Sequence, residues 1–152
     1  MPTGRGLAAL RSPELNVFIF AVLLNFPWEF LQTPLFEGMA AAPHWLAVQR
    51  CGIATIGDGV IMLVAFWCVA GVGKTRGWVL KPSSRQVAGF TAVGLFITVV
   101  VERLATAGLW PMPWSYSEAM PIVPLLGAGL SPLLQWILLP PVVVGFVRRQ
   151  LT

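Results

Sequence analysis

Four apolar stretches limit how this chain can fold. They run over about 13–36, 51–72, 86–109 and 122–147, each near the ~20 residues a helix needs to cross a bilayer. In hydrocarbon every backbone N–H and C=O must find a partner within the segment, so such stretches read as α-helices. The rest of the chain agrees: 57% of residues are hydrophobic and 11% charged, with mean hydropathy +0.78. A soluble domain carries about 25% charged residues. We therefore read residues 1–152 as one all-α domain, an integral membrane four-helix bundle. The first stretch precedes Ala40-Ala41-Ala42, as a signal peptide would. It is too long for an h-region and carries Asn25, Trp28, Glu29 and Gln32, so it reads as a span. Pro27, Pro34, Pro132, Pro140 and Pro141 fall in or near spans, which neighbouring helices can accommodate. The Pro140-Pro141 pair is expected to kink or end the fourth helix.

The basic residues orient the spans. Arg5, Arg11, Lys74, Arg76, Lys81, Arg85, Arg148 and Arg149 lie on the side of the two termini, whereas Arg50 and Arg103 lie toward the other side. Eight against two is a positive-inside bias that predicts cytoplasmic termini. The net charge of +4 is thus a topology signal, and no nucleic-acid surface is expected. Loops 37–50 and 110–121 then face outward. Trp45, Trp110, Trp114 and Tyr116 suit an outer aromatic belt and Trp78 an inner one. The basic 74–85 loop can touch anionic lipid, as inside loops do. No internal repeat is evident.

Three acids sit inside these spans, Glu29, Asp58 and Glu102. A carboxyl group in hydrocarbon is costly and normally faces the bundle interior. Each is about seven residues from the outer end of its span, which predicts a common depth roughly 10 Å below the outer surface. Helical spacing adds neighbours. Asn25, Glu29 and Gln32 share one face, as do Thr55 and Asp58, then Thr98, Glu102 and Thr106, then Gly127, Ser131 and Gln135. The small and hydroxyl positions also suit plain helix packing. Three clustered carboxyls would not all ionise, and a mixture of protonated and ionised acids is the arrangement used in acid/base chemistry. Arg103 could pair with Asp58 or Glu29, or reach the outer surface.

Other candidates are looser. His44, the only histidine, could cap the acidic site or remain a solvated loop residue. The 110–121 loop, rich in Trp and Pro, could be a lid or an interface anchor, and the Tyr116 phenol could donate into the pocket. Cys51 and Cys68 lie on one expected helix, roughly 25 Å apart, too far to bond. Met39, Met112 and Met120 form no Met-x-x-Met array. No metal site and no cofactor are expected: one histidine cannot supply bis-His haem ligation. Phosphate-loop, nucleophile-elbow and zinc-protease motifs are lacking.

The stretch Trp28-Glu29-Phe30-Leu31-Gln32-Thr33-Pro34, with Gly57-Asp58 and the run from Trp114-Ser115-Tyr116 through Gln135, resembles small bacterial four-span membrane proteins. This implies a multi-pass protein of the bacterial cytoplasmic (inner) membrane. Trp114-Ser115-Tyr116 following an intramembrane acid is also similar, over some twenty residues, to carotenoid cyclase subunits of the lycopene cyclase type. Those enzymes carry a Pro-x-Glu-Glu element, and the fourth span here holds no acid. The resemblance implies a lipophilic, isoprenoid-like ligand. Together these readings predict an outer-half site with Glu29, Asp58 and Glu102 as acid/base groups and Asn25, Gln32, His44, Trp114, Tyr116, Ser131 and Gln135 around the ligand. The alternatives are an accessory subunit of a larger membrane complex, with a partner protein or a second copy, and a proton-linked small transporter. The nearly wholly apolar inner halves, Asn16 excepted, argue against a continuous pore.

Overall fold

The computed structural model describes residues 11–152; Arg5, counted above with the terminal side, lies outside them. The chain forms four long helices, α1 (Pro13–Gln32), α2 (His44–Gly73), α3 (Ser84–Thr106) and α4 (Leu130–Leu151). Each is long and apolar enough to cross a membrane. Each packs on its neighbour in sequence, and α1 also packs on α4, so the helices close into a ring. We call the end holding Arg11, the α2–α3 connection and Thr152 proximal, and the opposite end distal.

Helix starts follow local chemistry. The Ser12 hydroxyl caps α1 by accepting from Leu15 N at 3.4 Å, with Pro13 in the first turn. Ser83 and Gln86 form a capping box at α3. Helix α2 begins at His44, seven residues before the expected Cys51. Pro43 precedes it with an extended backbone, and Gln49 and Arg50 are polar but good helix formers. The largest correction concerns the fourth span. Residues 122–129 are not helical: β1 (Ile122–Val123) pairs antiparallel with β2 (Ala128–Gly129). Pro121, Pro124 and Gly127, whose φ is +60°, break any helix there. Gly127 is therefore not on the Ser131–Gln135 face. Helix α4 starts at Leu130 and passes through Pro140 and Pro141 to Leu151, so the proline pair does not end it. Helix α1 closes in a tight turn over Thr33–Leu35 containing Pro34. Helix α3 ends at Thr106, three residues early, with Gly108 at φ +74° just beyond.

The core lies in the proximal half. Val17, Met62, Phe66, Phe90, Val143 and Val147 are fully buried there. Trp78, from the 3₁₀ turn Arg76–Leu80, is not on the surface as an inner belt would require. It is buried, with ring centroids 5.7 Å from Phe66 and 5.6 Å from Phe90. Next to it, Arg76 pairs with Glu14 at 2.5 Å and lies 5.1 Å from the Trp67 ring, fastening the α2–α3 connection to α1. Closer to the middle, two glycines let helices approach. A Cβ at Gly59 would lie 2.7 Å from the Phe18 ring, and one at Gly94 would overlap Trp136.

Candidate functional site

In the distal half the interior is polar and partly hollow. Asn25, Glu29 and Gln32 lie buried on one face of α1, spaced by about one turn. Gln135 of α4 meets them. Its Nε2 faces Asn25 Oδ1 at 2.7 Å, Glu29 Oε1 at 2.9 Å and Asp58 Oδ2 of α2 at 2.9 Å. Gln32 Nε2 donates to Glu29 Oε1 at 2.8 Å, and Ser131 Oγ donates to Gln32 Oε1 at 2.8 Å. The Glu29 and Asp58 carboxyls are also within hydrogen-bonding reach of each other. That contact needs a proton on one of them.

Glu102 of α3 forms a separate cluster. Its Oε2 accepts from Trp114 Nε1 at 3.2 Å and from the Tyr116 phenol. The same phenolic oxygen accepts from Gly129 N at 3.0 Å. Trp114 and Tyr116 thus turn inward, where an interface anchor would face out. Burial and the adjoining Glu102 carboxyl hold the Tyr116 phenol neutral, pushing its pKa above the ordinary tyrosine range. The two distal loops are stitched together here. Phe36 and Tyr116 form an antiparallel bridge, flanked by Glu37 N to Ser115 O and Ser117 N to Leu35 O, both 2.9 Å.

One cavity of about 660 Å³ joins the two clusters, with Glu29, Asp58, Glu102 and Gln135 on its wall. This is within the range of small-molecule sites. Along α2 its lining runs from Leu46 to Ile61, ~22 Å at the helical rise. The wall is otherwise mostly apolar. Lining residues Ile53 and Val60 are 43% and 50% exposed, so the cavity reaches the apolar outer surface of the bundle.

The acids share this cavity but not equivalent positions along their helices. Glu29 and Glu102 lie within about a turn of the ends of α1 and α3, whereas Asp58 is nearly four turns into α2, which projects farther distally. His44 does not reach the site: it is the exposed first residue of α2 and does not line the cavity. Arg103 pairs with neither Asp58 nor Glu29. Its Nη1 donates to Leu126 O at 3.4 Å, over Gly127. Cys51 is buried and free, with its Sγ 3.1 Å from Thr33 Oγ1; Cys68 is free and exposed. Among the described residues no three His, Cys, Asp or Glu side chains converge as a metal-ligand set.

Several lining residues are not singled out by the sequence. Arg50 reads there only as a topology charge and Cys51 only as core, while Trp136 carries no polar signal. Thr98, placed on the Glu102 face by its spacing, does line the cavity. Comparisons with family models, curated proteins and solved structures give no match.

Proposed function

We propose that the protein takes a small lipophilic molecule from the outer leaflet of a bacterial inner membrane into this cavity. Glu29, Asp58 and Glu102 then bind or convert it by acid/base chemistry. The observation that carries the proposal is three carboxyl groups on the wall of one largely apolar cavity. Such a wall suits a hydrocarbon body, and the exposed Ile53 and Val60 give a lateral route from lipid. Glu102 is tied through Oε2 only, leaving Oε1 for a ligand. The Glu29–Asp58 pair can hold or give up a proton, as a general acid or base must. Isoprenoids are one fitting class, as the resemblance at Trp114–Tyr116 implies. This reading places both termini in the cytoplasm and the distal loops outside.

The test is extraction. Protein moved directly from membranes into nanodiscs is expected to retain a lipophile detectable by mass spectrometry. An Asp58→Asn/Glu102→Gln double variant that still folds is expected to lose it. Absence of any retained species from the unmodified protein would overturn the proposal.

One observation favours a second reading, an accessory subunit: Gln135 and Gln32 supply hydrogen bonds to the Glu29–Asp58 pair, as in a structural network. Replacing all three acids by amides distinguishes the two. Loss of a co-purifying partner protein, with lipophile retention unchanged, would favour the subunit. A transporter has less support, because buried Met62, Phe66, Phe90 and Trp78 fill the bundle below the cavity.

A further inference from the structure

Among the described residues no cation pairs with the three carboxyls on the cavity wall. Among the described residues the only ion pair joins Arg76 to Glu14 at the proximal end. Around the cavity, α1 contributes Glu29, α2 contributes Asp58 and Cys51, α3 contributes Glu102, and α4 contributes the uncharged Gln135. Arg50 and Glu37, of opposite charge, line the mouth, and Arg103 is turned to the Leu126 carbonyl. The Tyr116 phenol donates to Glu102 as a neutral group. Negative charge left alone in a low-dielectric interior is costly, so something must bring positive charge to this wall. In the empty site that is protons.

A second observation points to an occupant. Thr98 is 6% exposed, lines the cavity, and its Oγ1 has no hydrogen-bond partner. Thr55, Thr91, Trp28 and Trp78 also carry buried polar atoms without a partner, but of these residues Thr98 alone lines the cavity. Glu102 lies one turn farther along the same face of α3, and its Oε1 accepts no hydrogen bond from any described residue. Two oxygen acceptors thus follow one another on one face of α3, in an apolar cavity whose three acids are balanced only by protons.

We propose that the occupant is an amphipathic organic ammonium. Its N–H groups are donated to Glu102 Oε1 and Thr98 Oγ1, and its hydrocarbon body lies against Ile53, Val60, Ile97 and Val101. As the ammonium enters with its single positive charge, one carboxyl gives up its proton to the distal aqueous side, and the net charge of the site is unchanged. A neutral alcohol meets the same oxygens without compensating charge, and an anion is repelled. This inference rests on reading the cavity as a lipophile site and adds the charge of the lipophile.

The experiment uses a matched series, 4-phenylbutylamine, 4-phenylbutanol and 4-phenylbutyrate, titrated calorimetrically into the full-length protein in nanodiscs against empty nanodiscs. The amine is expected to bind at least tenfold tighter than the alcohol, and the carboxylate not at all. About one proton should be released per amine, read from the dependence of the heat on buffer ionisation enthalpy. Lowering the pH should weaken amine binding, because protons compete for the same carboxyls. Thr98→Val should weaken the amine severalfold without lowering Tm, since the hydroxyl has no protein partner to lose. Alcohol binding as tightly as amine, or amine binding without proton release, would overturn the inference and leave the lipophile reading standing. No binding by any of the three would also overturn it, while the extraction experiment decides the lipophile reading independently.

Discussion

The proximal and distal halves of the bundle use the same four helices and close in opposite ways. The proximal half is filled by rings and branched chains, with Trp78 wedged against Phe66 and Phe90 and the Arg76–Glu14 pair at its edge. The distal half is held by hydrogen bonds among Asn25, Glu29, Gln32, Asp58, Ser131 and Gln135, and it leaves a cavity. Shape complementarity secures the first half and polar satisfaction the second. The difference teaches where each half is vulnerable: loss of volume should harm the proximal half, and loss of a donor the distal half.

The sharpest way to break this contrast is Phe66→Ala. It should cost about 3 kcal/mol, the low end for a buried aromatic because lipid is as apolar as the core. Unfolding in mixed micelles would measure it, and retained lipophile per folded molecule should be unchanged. Next comes Gln135→Leu, which keeps volume but removes the shared donor of Glu29 and Asp58. We expect a loss of roughly 2–3 kcal/mol for buried acceptors left without it, partly restored when Glu29→Gln and Asp58→Asn are added. Equal costs with and without those amides would show that the distal half is held by packing after all. Tyr116→Phe, which removes one bond to Glu102 and one from Gly129, should cost about 1–2 kcal/mol and raise the fluorescence mobility of Trp114. The smallest effect at neutral pH is the titration of Tyr116 itself. With its folded pKa above the ordinary value near 10, its contribution to stability is fully present below pH ~10. It is lost as pH rises from there toward the folded value, because the unfolded chain then binds fewer protons. Tyr116 is the only tyrosine, so phenolate absorbance reports it directly. Ionisation at the ordinary pH would refute the buried bond to Glu102.

Much of the architecture was legible in the sequence because hydrocarbon leaves the backbone few choices. Four apolar stretches mapped onto four helices, and the Asn25–Glu29–Gln32 spacing placed these side chains on one buried face. Hydropathy could not separate an apolar hairpin from an apolar helix at 122–129, where only prolines and Gly127 mark the break. It also hid the first two turns of α2, whose Gln49 and Arg50 are polar yet helical. The shared wall of the three acids was legible, but their division was not. Only tertiary contacts show that Gln135 ties Glu29 to Asp58 while Trp114 and Tyr116 hold Glu102. The inward turn of Trp78 was equally unreadable, because a tryptophan serves equally well in a belt or a core.

Gln135 has a consequence of its own. Its Nε2 carries two hydrogens and stands within 2.9 Å of three oxygens, on Asn25, Glu29 and Asp58. At any instant one of the three goes unserved, and a hydrogen held between the two carboxyls can make up the shortfall. Several arrangements of hydrogens therefore fit one arrangement of heavy atoms. The wall can redistribute charge along itself while its atoms hold still, as a buffer does, and an arriving molecule can be met by rearranged hydrogens with no helix displaced.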